Sequence, residues 1–218
     1  MANTSELGLS PALERLDLDY KALPQVLSDD LARSDGIAAI IVHPFYKNYS
    51  QGGWFKDDFE REKYENYKRR LKISVEKYQN RQIPIILFED MMDLDKVNET
   101  LSKVGMNNGK AYVVKTGISD SRPPDGNGIG LAFSLKEAGL RRAVVLGSQL
   151  WLMEASLERI ANVDYQQIPR IAKHNKLKGC VGGVIDSLLW TGIYATPGFA
   201  TFPTGQDRFD NLPGIHRK

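Results

Sequence analysis

AVVLGSQLW, residues 143–151, is the stretch whose reading decides the fold. A short apolar run stops on Gly147, Ser148 and Gln149, and a helix-like segment over 150–160 follows. Three earlier stretches repeat the form: IAAIIVHP reaches His43, IPIILFED reaches Glu89 and Asp90, and AYVVKTG reaches Lys115 and Thr116. Apolar runs without polar alternation are what strands buried on both faces look like. Alternating with helical segments, they predict a three-layer α/β sandwich with a mostly parallel, Rossmann-like sheet of five or six strands. The C-terminal ends of such strands share one edge of the sheet, and ligands bind along that edge.

Working outward, the common order for such a sheet sets the strand at 37–42 between those at 83–88 and 143–146. His43 then lies between Glu89 and Asp90 on one side and Gly147 and Ser148 on the other. Pro44 ends the first of these strands and favours extended geometry at His43. Phe59, Tyr67, Leu71, Val75 and Tyr78 recur at the spacing of one helical face. The opposite face carries Arg61, Lys68, Arg69 and Lys72, but Glu60, Glu62, Glu65 and Glu76 nearly cancel them, so it reads as a solvated face. Residues 131–138 predict a helix stopped by Gly139, and GCVGGVIDSLLW a helix packed closely on the sheet. A last strand falls over 193–196 or 199–202. Residues 1–34 read as a short helical arm with a turn or N-cap at Ser28, Asp29 and Asp30, and residues 203–218 as an aperiodic tail.

The totals fit a single α/β domain spanning residues 1–218. A net charge of +2 is too small to argue for a nucleic acid or membrane partner. With one cysteine, Cys180, an intrachain disulfide and a cysteine-cluster zinc site are both excluded. The first residues lack a basic and apolar leader pattern, and no window holds the roughly 18 apolar residues of a membrane span. The expectation is a cytoplasmic protein with a small-molecule substrate, no cofactor and no metal; a homo-oligomer is compatible with the sequence, which does not set the oligomeric state.

A serine, a histidine and a carboxylate on adjacent strand ends are the ingredients of nucleophilic acyl transfer. Ser148 would attack, His43 would take its proton, Asp90 would orient the ring, and the backbone of residues 147–149 would supply oxyanion donors on entering a helix. The local sequence L-G-S-Q-L is not a G-x-S-x-G elbow, and the plainer role for Ser148 is a helix N-cap. Lys115 reads either as an anion-binding, pKa-tuned lysine or as a rim lysine keeping its charge in water. Glu89, Thr116, Arg122, Gln149 and Trp151 are the expected substrate contacts. The glycines at 126, 128 and 130 precede a helix but miss the dinucleotide spacing, so a flexible loop is the simpler reading.

VVKTG together with LKEAGLRRAVVLGSQLW resembles the middle of isochorismatase-like hydrolases. The resemblance implies that family's fold and matches its lysine to Lys115. The family's first-strand aspartate falls at His43 and its cysteine at Met153, while Cys180 lies far beyond the expected strand end. The expected function is therefore a small-molecule hydrolase working at the C-terminal edge of the sheet without the family's cysteine. One alternative is a non-catalytic module that assembles with itself or a partner through residues 45–55 and the tail. Another is nucleotide or phosphate binding at residues 126–130.

Overall fold

Residues 37–42 are β-branched or small, and all but Ile37 are fully buried, so this strand lies at the centre of a sheet covered on both faces. The computed structural model describes residues 12–45, 58–90, 96–116, 128–150 and 179–203. Its six strands are β1 (Glu14–Leu18), β2 (Ile37–Val42), β3 (Ile85–Asp90), β4 (Lys110–Thr116), β5 (Arg142–Leu150) and β6 (Tyr194–Pro203). They form one sheet in the order β1-β4-β3-β2-β5-β6, and every pairing is parallel. The α/β architecture and the expected order of the inner strands are both present. A sixth strand, β1, is added at one edge.

Helices α1 (Leu23–Arg33), α4 (Gly128–Glu137) and α5 (Gly179–Trp190) share one core with Ile40, Val42, Phe88, Tyr112 and Val145. Helices α2 (Asp58–Asn80) and α3 (Val97–Lys103) cover the other face over Ile41, Leu87, Val113 and Leu146. Strand residues alternate between the two cores because successive side chains leave a strand on opposite faces. The helical stripe read from the sequence is the buried face of α2, with Tyr64, Tyr67, Leu71 and Val75 inside. Among the described residues, no helix is long and apolar enough to cross a membrane.

Three expectations are corrected. The N-terminal segment is helical only in part: residues 23–33 form α1 as expected of an arm docked by its leucines, but residues 14–18 pair with β4, from Glu14 against Lys110 to Leu18 against Val114. Its polar residues reflect an edge strand with one ladder side in solvent, which lacks the apolar run of a central strand. Ser28, Asp29 and Asp30 are inside α1, where the Asp30 carboxylate accepts from the Tyr112 hydroxyl. The last strand is one continuous β6 that takes Pro197 and Gly198 through register shifts against β5.

The third correction bears on the site. β5 does not stop at Leu146 to enter a helix at Leu150; it runs on as strand to Leu150. Gly147 pairs with Thr201, Ser148 with Phe202 and Leu150 with Pro203, so β6 continues the ladder after β2 has ended. Ser148 is therefore not a helix N-cap. The oxyanion role given to a helix entry at residues 147–149 also has no basis, because that backbone is strand.

Gly147 has φ 134°, and a Cβ built there would lie 2.1 Å from the carbonyl oxygen of Val42. Gly139, with φ 100° just past α4, would meet nothing within 4 Å. Gly147→Ala is expected to cost on the order of 3–5 kcal/mol, because backbone must move as well as strain. Gly139→Ala should cost only about 1–2 kcal/mol, from the left-handed backbone alone. Urea unfolding of the two variants checks the order; equal losses would contradict the close β2–β5 approach.

Candidate functional site at the C-terminal edge of the sheet

The ends of β2, β3, β4 and β5 come together because their register is nearly level. Val42 is opposite Phe88 and Gly147, Glu89 is opposite Lys115, and Asp90 is opposite Thr116. Positions 43, 89, 90, 115, 116 and 148 therefore share one edge, as the sequence predicts. The described side chains at its centre are His43, Glu89 and Thr116, only 2%, 6% and 0% exposed in turn.

His43 is held from several directions. Its N–H donates to the Phe88 carbonyl at 3.0 Å, extending the β2–β3 ladder by one residue. Its backbone then turns left-handed, with φ 40°. This corrects the extended geometry that Pro44 favours. A left-handed residue that is neither glycine nor asparagine costs on the order of 1–2 kcal/mol and persists only where its surroundings over-determine it. The ring Nε2 lies 2.9 Å from Thr116 Oγ1, and Thr116 Oγ1 donates to the Glu89 backbone carbonyl at 3.2 Å. On the helix side, the Tyr67 hydroxyl donates to the Pro44 carbonyl at 3.0 Å, fixing the peptide after the turn.

Tyr67 adds to the site beyond its place in the core. Its ring stacks on Tyr64 with centroids 5.8 Å apart. Burial pushes its hydroxyl well above the ordinary phenol range, and the Tyr64 and Glu89 charges push in the same direction. The proton is therefore held on the oxygen that anchors Pro44. Periodicity assigned Tyr67 to the helix's buried face but could not show its role. The available signal was chemical: a buried tyrosine needs a partner for its hydroxyl.

The other expected residues divide as follows. Thr116 is fully buried and its hydroxyl is engaged within the cluster. Lys115 is exposed beside its buried register partner Glu89, which places a cation at the rim. Asp90 and Ser148 are located by backbone only, and their side chains, with that of Gln149, lie outside the described residues. Arg122 and Trp151 lie outside them entirely, as do residues 46–57 and 117–127. Gly128 and Gly130 belong to the first turn of α4. Among the described residues no group of three His, Cys, Asp or Glu could hold a metal ion.

A cavity of about 400 Å³ opens at the opposite edge, lined in part by Asp30, Arg33, Gln79, Pro84, Lys110 and Tyr112. Its polar groups answer one another. Burial alone would raise the Asp30 carboxyl, but hydrogen bonds from Tyr112 and Arg33 and the Lys110 charge outweigh it and hold the group below its ordinary value. Gln79 Nε2 donates to the Asn108 carbonyl at 2.9 Å. Asp30, Tyr112 and Gln79 are engaged with their neighbours there, whereas the strand-tip cluster is buried and built around a histidine, so it is the better candidate. The chain matches no protein-family model, no curated protein and no solved structure.

Tyr67→Phe should leave the Pro44 carbonyl without its donor and cost on the order of 1–3 kcal/mol. The phenol is raised in the folded chain relative to an ordinary value of about 10, so its contribution is fully present below that pH and lost as pH rises above it. Urea midpoints between pH 8 and 11 should fall less steeply for Tyr67→Phe than for the wild type. Parallel curves would contradict the burial of this hydroxyl.

Proposed function

We propose that the chain is a small-molecule hydrolase whose general base is His43, acting on an ester or amide bond at the C-terminal edge of the sheet. The observation that carries this reading is a buried histidine held in a left-handed backbone at the tip of the central strand, its ring aligned by Thr116. Strained, buried titratable groups at a strand-end crevice are where acid–base chemistry is built. In the reaction, water adds to the acyl carbon as its proton passes to His43. The bond to the leaving group then breaks, and that group takes the proton from His43, which ends neutral. Lys115 at the rim would attract a substrate carrying negative charge. The burial of His43 sets a condition: the acyl group must be admitted to a closed position, where bulk water does not compete.

The resemblance of residues 113–117 and 135–151 to isochorismatase-like hydrolases supports a fold of that kind, with histidine standing where that family has its aspartate. Turnover of a panel of small carboxylic esters and amides, neutral and anionic, tests the proposal. His43→Ala should lower kcat/KM by roughly 10²- to 10⁴-fold with an unchanged circular dichroism spectrum. Lys115→Ala should weaken turnover of anionic substrates more than neutral ones. Wild-type rates in both variants would refute the reading.

A second reading, a non-catalytic module that assembles with itself or a partner, is favoured by one observation. Ile129 and Phe133, one turn apart on α4, are 58% and 50% exposed. Sedimentation of the wild type against Phe133→Glu tests it. A smaller species in the variant supports assembly through α4, and identical sedimentation as monomers counts against self-assembly there.

A further inference from the structure

The inference concerns what fixes the His43 ring, and it rests on the reading of His43 as the base. A carbonyl oxygen only accepts, so the contact between Thr116 Oγ1 and the Glu89 carbonyl, 3.2 Å long, requires the hydroxyl to donate. A hydroxyl has a single proton. The second contact, 2.9 Å from Oγ1 to His43 Nε2, is then a hydrogen bond only if Nε2 carries the hydrogen. A neutral imidazole has one N–H, which leaves the lone pair on Nδ1.

We infer that Thr116 is a positioning residue that locks neutral His43 in its Nε2–H tautomer, so that Nδ1 is the atom that receives the proton. The arrangement suits both states of the base. Nε2 donates to Thr116 whether the ring is neutral or protonated, so arrival of a proton at Nδ1 reorients nothing behind the ring. That is preorganisation in the sense that matters for rate. The acceptor at the far end is also fixed, since Glu89 is paired with Lys115 inside the β3–β4 ladder. A threonine whose only task was filling space would be replaceable by its near-isostere valine; one that aligns the ring would not.

Nitrogen-15 spectra of the imidazoles, recorded without substrate, read the tautomer directly. The chain has three histidines, and a His43→Gln sample assigns the signal. The wild type should show the Nε2–H form of His43 at neutral pH. Thr116→Val should shift it towards Nδ1–H and lower kcat on the order of 10- to 100-fold, with KM little changed, the size of effect seen when a group orienting an imidazole is lost. Thr116→Ser should restore both. A wild-type Nδ1–H tautomer overturns the inference without any variant, as does Thr116→Val with an unaltered tautomer. If the tautomer is as inferred but His43→Ala keeps full turnover, the base assignment fails and the alignment by Thr116 remains.

Discussion

The close approach of β2 and β5 at Val42 and Gly147 is the constraint on which the rest depends. With φ 134° and the Val42 carbonyl only 2.1 Å from where a Cβ would sit, the position accepts glycine and nothing larger without moving backbone. The chain leaves β2 towards β3 and β4 on one side, and β5 and β6 lie on the other, so this pair marks the point where the sheet changes direction. Helices α2 and α3 follow the first half on one face, and α4 and α5 the second half on the other. Open α/β sheets bind ligands beyond the strand ends at such a reversal of strand order. β2 ends at this contact while β5 continues against β6, so His43 stands at the end of a strand that is shorter than its neighbour.

Most of the polar groups buried there are engaged with one another or with the backbone. An unpaired buried donor or acceptor costs about 1–3 kcal/mol. The His43 N–H continues the ladder to Phe88, its ring meets Thr116, Thr116 reaches the Glu89 carbonyl, and Tyr67 satisfies the Pro44 carbonyl. Three strands and one helix thus contribute to holding residues 43 and 44. Each contact belongs to an element anchored elsewhere in an apolar core, so the cluster is stiff for reasons outside itself.

Much of this was legible in the residues. IAAIIV and AYVV have no polar alternation, which fixes strands buried on both faces, and the polar residues at their ends fix where the edge lies. β1 was not legible, because an edge strand such as ERLDL needs burial on one side only and carries no distinct pattern. The end of β5 was misplaced because Gly-Ser-Gln resembles a strand end, while the true end depends on β6, some 50 residues away in sequence and paired through Thr201 and Phe202. The backbone of His43 was not legible either. Pro44 biases it towards extended geometry, and only the convergence of Phe88, Thr116 and Tyr67 holds it left-handed. Local chemistry set the expectation in each case, and a tertiary partner overrode it.

The two edges of the sheet make the argument for function by contrast. At the N-terminal edge there is room, but Tyr112, Arg33 and Lys110 all converge on Asp30, and these contacts tie α1 to β4. At the C-terminal edge a histidine is kept in a strained backbone at the tip of the central strand. For stability alone this is a poor choice. A glycine at that position would relieve the left-handed strain, and an apolar residue in place of Thr116 would remove the need for a polar partner altogether. Asp35 and Gln82 are left-handed as well, but both are exposed turn residues, whereas His43 is buried. A departure of that kind at a buried strand tip is expected where chemistry rather than packing sets the residue.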